Sequence, residues 1–144
     1  MPRKADSEES GDGGMKNIGI EYPEKGVMRF YELGEPPAPA DTQALLRALY
    51  SGITNGTERH ALMAEHGWKH FPGRHGYQHV CRVEAVGRNV RTLKEGDIVF
   101  YGQYVGHRGW HLVDLSNADP HSIGSHLCFP LPEGLDPAHC ALMG

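Results

Sequence analysis

Glycine and proline interrupt this sequence too often for long helices to form. The 144 residues include 19 glycines and 10 prolines, spread through most of the chain. Glycine favours turns, and proline cannot continue a helix or a central strand. This spacing therefore favours short strands joined by tight turns. We predict a mainly β fold, a partly open β-barrel with one or two short helices.

Apolar or alternating runs between these breakers are the candidate strands. The ambiguous run is Gln43–Ile53, since Leu45, Leu46 and Leu49 have helical spacing. It follows a proline-rich connector and precedes a Ser-Gly turn, and this position favours a strand. The predicted strands cover residues 15–22 and 27–33, which form a hairpin, then 43–53, 78–86, 97–101, 109–115 and 126–130.

Two short helices are predicted from their N-terminal signals. The first covers residues 56–64, with Thr57 as its N-cap. The second has Asp136 as its N-cap and Pro137 at the first helical position. Because the sequence stops soon after this second start, we expect a fragment of a longer protein. The predicted organisation is a flexible tail over residues 1–14, one domain over 15–135, and the start of a linking helix over 136–144.

Composition and charge exclude several classes of protein. The formal net charge is −4, and lysine and arginine are scattered, which argues against a nucleic-acid surface. No segment has the roughly 20 apolar residues in a row that a membrane span needs. The first fourteen residues lack the apolar core of a secretory signal. We expect a cytoplasmic protein with no nucleic-acid or membrane partner.

The cysteines agree with that compartment. Cys81, Cys128 and Cys140 are odd in number, widely spaced and without a C-x-x-C pair. This pattern argues against a disulfide framework and favours a reducing environment. We expect Cys81 and Cys140 to be buried as small apolar residues.

Four segments, in the same order along the chain, resemble motifs of the medium-chain dehydrogenase/reductase, or alcohol dehydrogenase-like, family. They are SGITNGTERH (residues 51–60), GYQHVCRVEAVGRNVRTLKEGDIVF (76–100), GWHLVDL (109–115) and FPLPEGLDPAHCALMG (129–144). The resemblance implies a GroES-like catalytic domain, a distorted barrel that normally adjoins a Rossmann domain. No G-x-G-x-x-G fingerprint follows a strand in this sequence, so no cofactor-binding residue is predicted.

The residues at the family's zinc positions are poor zinc ligands. Thr54 stands where the resemblance places a cysteine, Tyr77 where it places a histidine, and Gln78 replaces the adjacent glutamate. A neutral hydroxyl and a phenol bind zinc weakly. The four closely spaced cysteines of the family's structural zinc lobe are also absent from residues 102–128. We predict a zinc-independent member, with no metal ligands among these residues.

Two pairs of histidines have a regular spacing that could suit metal ligands. His75 and His79 are four residues apart, as are His107 and His111. Glycines near both pairs argue against a helix, and on a strand such residues lie about 13 Å apart. Solvated or hydrogen-bonded histidines are therefore favoured over an unconventional metal site.

The same resemblance nominates the site residues. Thr57 matches a threonine that relays a proton from the substrate oxygen, with helix capping as the alternative role. Tyr77 is the second catalytic candidate, and simple packing is its alternative. Thr54, His60 and Trp68 are predicted to contact substrate.

These expectations lead to two hypotheses of different class. The first is the N-terminal substrate and catalytic-type domain of a zinc-independent oxidoreductase that uses NAD or NADP in its full-length form. The isolated chain would be inactive, and its partners would be a small-molecule substrate and a missing or separate Rossmann domain, with a homodimer allowed. The alternative is a stand-alone, non-catalytic GroES-like binding or assembly module.

Overall fold

The protein is described here from a computed structural model that covers residues 16–116 and 128–143. Seven strands and two short helices follow one another along the described chain. They are β1 (Ile18–Glu24), β2 (Val27–Glu32), β3 (Gln43–Gly52), α1 (Thr57–Leu62), β4 (Gln78–Val86), β5 (Ile98–Tyr101), β6 (Trp110–Asp114), β7 (Cys128–Pro130) and α2 (Pro137–Cys140). The predicted tail, and the first two residues of the last predicted strand, lie outside the described residues.

The strands form two antiparallel sheets rather than a closed barrel. β1 and β2 form a hairpin, and the other five strands pair in the order β6-β3-β4-β5-β7. Isolated bridges from Gly19 to Arg108 and from Tyr22 to Gly73 connect the hairpin to the rest of the domain. The predicted mainly β, partly open architecture with two short helices is confirmed.

The hairpin and the ambiguous strand form where the sequence predicts them. Gly26 has a φ of +74° in the turn between β1 and β2, a conformation that L side chains rarely adopt. Residues 43–52 are a strand although three leucines have helical spacing, because pairing with β4 and β6 satisfies both of its edges. Tertiary pairing therefore decides a segment that local pattern leaves open.

The apolar core lies on one face of the five-stranded sheet. β3 contributes Ala44 and Leu46, both fully buried, and β4 contributes Cys81 and Val83. A second cluster joins Val80 and Phe100 to Cys140 and Ala141 at the end of α2. The predicted burial of Cys81 and Cys140 is confirmed.

One of the two predicted helix caps is wrong. The N-cap of α1 is Gly56, without a side-chain cap, and Thr57 is the first residue of the helix itself. In α2, Asp136 is the N-cap as predicted, since its Oδ1 accepts a hydrogen bond of 2.9 Å from the Ala138 amide. No helix among the described residues is long and apolar enough to cross a membrane.

Candidate functional site

A cluster of buried polar side chains fills the space between the hairpin, α1 and the five-stranded sheet. His79, His107, His111 and Glu58 each expose 5% or less of their surface. Strand pairing accounts for part of this arrangement. Ser51 lies opposite His79 across the β3–β4 pair, and His111 is on β6, the other neighbour of β3.

Glu58, His107 and His79 are joined through the Ser51 hydroxyl in one continuous hydrogen-bonded chain. The Glu58 carboxylate contacts His107 Nε2 at 2.6 Å. The other ring nitrogen, His107 Nδ1, is hydrogen-bonded to the Ser51 hydroxyl. That hydroxyl also lies 3.0 Å from His79 Nδ1. Because Ser51 is exposed whereas His107 and Glu58 are buried, the chain connects a buried carboxylate to the surface.

Glu58 is held as a carboxylate by its partners. Burial by itself would raise the pKa of Glu58. The hydrogen bonds from His107 and from the Thr54 amide outweigh burial, so the pKa of Glu58 lies below its ordinary value. Burial, together with the same carboxylate, raises the pKa of Tyr22, which points to a phenol that remains protonated.

His79 and His111 form a contacting pair that is held neutral. Their ring centroids are 4.5 Å apart. Burial lowers the pKa of His79 to about 4 and, with the neighbouring His79, lowers the pKa of His111 to about 2. His111 Nδ1 accepts a hydrogen bond from Arg108 Nε at 3.3 Å. The Nε2 atoms of both rings are buried and have no hydrogen-bond partner among the described residues.

The hydrogen-bonded chain opens into a cleft of about 220 Å³ between the hairpin and β3. Ser51, His107 and Arg108 give this cleft its polar groups. Its other lining residues are mostly apolar and comprise Ile18, Ile20, Phe30, Ala48, Leu49 and Tyr50. Chemically, the Ser51–His107–Glu58 chain can accept or deliver a proton at the cleft, as positioned acid–base groups do in other sites.

The structure links two of the predicted site residues to this cluster. The Thr54 amide donates to Glu58 Oε1 at 3.0 Å. The Thr54 hydroxyl is buried without a hydrogen-bond partner among the described residues. Thr57 directly precedes Glu58 at the start of α1 and is half-buried.

The other three predicted site residues lie in separate aromatic groups. Tyr77 is half-buried, and its ring packs against Tyr104 at a centroid distance of 4.6 Å. Trp68 makes an edge contact with His75 at 5.1 Å. His60 is hydrogen-bonded to Glu65 at 2.7 Å. His60 lies three residues after Thr57 on α1, and the assigned roles stay predictions.

The residues of the buried cluster were not selected by motif reasoning. Spacing along the sequence compares only histidines that lie four residues apart on one strand. His79 and His111 instead come together from β4 and β6, the strands on either side of β3. The available signal was the high histidine content, ten in 144 residues.

Comparison with known proteins identifies the fold of this chain. No protein-family model and no curated protein matches the sequence. Several solved structures match the fold of this chain. Quinone oxidoreductase from Pseudomonas syringae is 22% identical, with a TM-score of 0.63 over 87% of this chain and 36% of its own. The Escherichia coli quinone oxidoreductase complexed with NADPH is 20% identical, with a TM-score of 0.63 over 86% and 36%. A cinnamyl alcohol dehydrogenase from Sorghum bicolor is 18% identical, with a TM-score of 0.68 over 88% and 43%.

The fold is GroES-like. These matches fit the predicted resemblance to part of a medium-chain dehydrogenase/reductase. At 18–22% identity they show the fold of the GroES-like domain and not its activity. The chain spans about two fifths of the length of the solved structures it matches.

Proposed function

We propose that this chain is the N-terminal, substrate-side domain of a zinc-independent, NAD(P)-dependent oxidoreductase of the alcohol dehydrogenase-like class. The observation that carries the proposal is the GroES-like fold, shared over most of the chain with several oxidoreductases. One of those neighbours is described as complexed with NADPH. The proposed setting is cytoplasmic, with a small-molecule substrate and a homodimer as a compatible assembly.

The nicotinamide would supply or accept the hydride, and this chain would not bind it alone. The sequence contains no G-x-G-x-x-G loop of the kind that holds a dinucleotide pyrophosphate. We assign nucleotide binding to a Rossmann domain in the same protein or in a separate chain. The isolated 144 residues are then expected to be inactive.

Zinc independence is supported by the donors at the proposed substrate site. Thr54 and Tyr77 offer neutral hydroxyls, and Tyr77 packs against Tyr104 rather than joining a set of ligand atoms. A catalytic zinc needs three ligands drawn from cysteine, histidine and carboxylate side chains. The residues at the family's ligand positions therefore do not fit the metal.

The buried Thr54 hydroxyl supports its proposed role in binding substrate. A hydroxyl buried without a partner costs free energy, and native proteins rarely leave one unsatisfied. A substrate oxygen at this position would give Thr54 Oγ1 its missing hydrogen bond. In the same proposal Thr57 and Tyr77 exchange a proton with the substrate oxygen, and His60 and Trp68 line the substrate pocket.

The test uses the longest natural protein that contains this chain. We expect it to oxidise NADH or NADPH with at least one substrate from a panel of quinones, enones and aldehydes. Turnover should survive extensive treatment with a zinc chelator. Activity that appears only after zinc is restored would contradict zinc independence. A folded protein that neither binds nor oxidises NAD(P)H would favour the alternative, a non-catalytic GroES-like module.

A matched pair of variants tests the substrate site. Thr54→Val keeps the shape but removes the unpaired hydroxyl, so we expect a lower kcat/KM by about five- to twentyfold, the value of one hydrogen bond. Thr42→Val is the control, because the Thr42 hydroxyl is already bonded to Asp114 at 3.0 Å. Equal effects of the two variants on kcat/KM would remove Thr54 from the site.

A further inference from the structure

The turn that follows α1 folds back on its own helix. The Glu65 amide donates to the His60 carbonyl at 2.9 Å, and the Ala64 amide donates to the Ala61 carbonyl at 3.4 Å. This pair of hydrogen bonds is that of a Schellman motif, in which the residue after the helix adopts a left-handed conformation. The turn is therefore fixed by its backbone and not only by side chains.

Two residues of this turn have unfavourable backbone conformations. Ala64 has a φ of 52° and His66 a φ of 50°, and they are the non-glycine residues with positive φ in the described parts of the chain. Each such residue costs on the order of 1 kcal/mol relative to glycine. Such conformations terminate helices, and they also cluster at ligand-binding and active sites. Here they return Glu65 and His66 to the side of His60.

The result is a compact set of metal-binding atoms. His60 Nδ1 lies 2.7 Å from Glu65 Oε2, and the His60 and His66 rings are 4.4 Å apart. One ligand atom from each of these three residues lies within 4.8 Å of the others. Tetrahedral zinc ligands are separated by roughly 3.4 Å, as metal–ligand distances of about 2.1 Å require. Small side-chain rotations would therefore close the site.

We propose that His60, Glu65 and His66 bind a divalent transition metal such as Zn²⁺, Co²⁺ or Ni²⁺. Two imidazoles and one carboxylate are a donor set that suits these transition metals. Mg²⁺ and Ca²⁺ prefer sites made of oxygen ligands. His66 is exposed and the other two are half-buried, which leaves room for water at the remaining coordination positions. The site uses none of the family's zinc positions. It includes His60, which the proposed function places at the substrate pocket, but metal binding is measured without any oxidoreductase activity.

Arg59 provides a distinguishing feature of this site. Its Nη1 lies 2.5 Å from Glu65 Oε2, the carboxylate oxygen that also contacts His60. A guanidinium on that oxygen competes with a metal ion. Because 54% of the Arg59 side chain is exposed, it can withdraw into solvent when a metal binds. Removing it should strengthen binding, whereas removing a ligand should weaken binding.

The experiment is titration of the 144-residue protein with Zn²⁺, and with Co²⁺ for its absorption spectrum. We expect one metal per chain, and loss of affinity by more than about tenfold in Glu65→Gln and in His66→Asn. Asparagine is chosen because it tolerates the left-handed conformation of residue 66. Arg59→Gln should bind the metal about two- to fivefold more tightly.

His139→Gln, at an exposed histidine on α2, is the matched control and should bind like the unmodified protein. Circular dichroism of each metal-free variant checks that the fold persists. Zn²⁺ should also raise the melting temperature of the unmodified protein and of Arg59→Gln. The proposal is overturned if Glu65→Gln and His66→Asn bind as tightly as the unmodified protein, or if His139→Gln loses as much affinity as they do.

Discussion

At the scale of single residues, close contacts decide which positions accept change. A Cβ added to Gly52 at the end of β3 would lie 2.0 Å from the Ala141 carbonyl oxygen. That contact is with backbone, so relief requires α2 to move. Gly52 is therefore required by the lack of space for a side chain rather than by its backbone conformation, since its φ is not among the positive values.

We expect Gly52→Ala to lower the free energy of unfolding by about 1–3 kcal/mol, as overpacking does in other cores. Gly109→Ala is the control, because the atom nearest to the added Cβ is 3.5 Å away, an ordinary contact, and its effect should stay below about 0.5 kcal/mol. Urea denaturation measures both variants. Equal stabilities would show that α2 does not pack against β3 in solution.

The buried His107–Glu58 pair gives the second prediction at this scale. His107→Leu leaves the Glu58 carboxylate buried without its main partner, although the Thr54 amide, Tyr22 and His75 remain nearby. We expect a loss of about 3–5 kcal/mol in unfolding free energy. The double variant with Glu58→Leu should regain part of that loss, because no charge is then left unpaired. If the two single losses simply add, as a double-mutant cycle would reveal, the pair is not coupled.

At the scale of elements, the sequence predicts strands and helices well but not the cross-strand contacts. Glycine and proline mark where strands end, and β4 at Gln78–Val86 has the predicted bounds. The cap of α1 was assigned to Thr57 because threonine often caps helices, yet Gly56 occupies that position. His79 and His111 meet only because β3 lies between their strands, an order that periodicity does not encode.

The left-handed turn after α1 leads to a prediction about stability. Ala64→Gly should raise the free energy of unfolding by about 0.5–1 kcal/mol, because glycine adopts the left-handed conformation without a steric penalty. Ala85→Gly, within β4, is the control and should lower stability by roughly 0.5–1 kcal/mol. Thermal unfolding measures both. Destabilisation by Ala64→Gly would show that the left-handed turn is not formed.

At the scale of the whole molecule, the buried histidines couple stability to pH. In the folded protein burial lowers the pKa of His79 to about 4 and that of His111 to about 2, whereas an ordinary histidine, as in the unfolded chain, has a pKa of 6.5. At a pH below 6.5 but above these folded-state pKa values, the two histidines bind protons in the unfolded chain and not in the folded chain. Stability must therefore fall as the pH drops below 6.5.

We expect a loss on the order of 2 kcal/mol for each of the two histidines between pH 7 and pH 5. His111→Leu removes one titrating group and should flatten the pH dependence of the unfolding free energy. His139→Gln, at an exposed position, should leave the slope unchanged. The slopes are compared rather than the absolute stabilities, so a general effect of His111→Leu on packing does not affect the result. A slope that is the same in all three proteins would contradict the buried, neutral pair.

We propose that this GroES-like domain holds no catalytic zinc at Thr54 and Tyr77. Anomalous diffraction at the zinc edge from crystals soaked in Zn²⁺ tests it directly, because the peaks give the positions of bound metal. We predict no peak beside Thr54 and Tyr77, and a peak at His60, Glu65 and His66. A strong zinc peak coordinated by Thr54 or Tyr77 would contradict the claim.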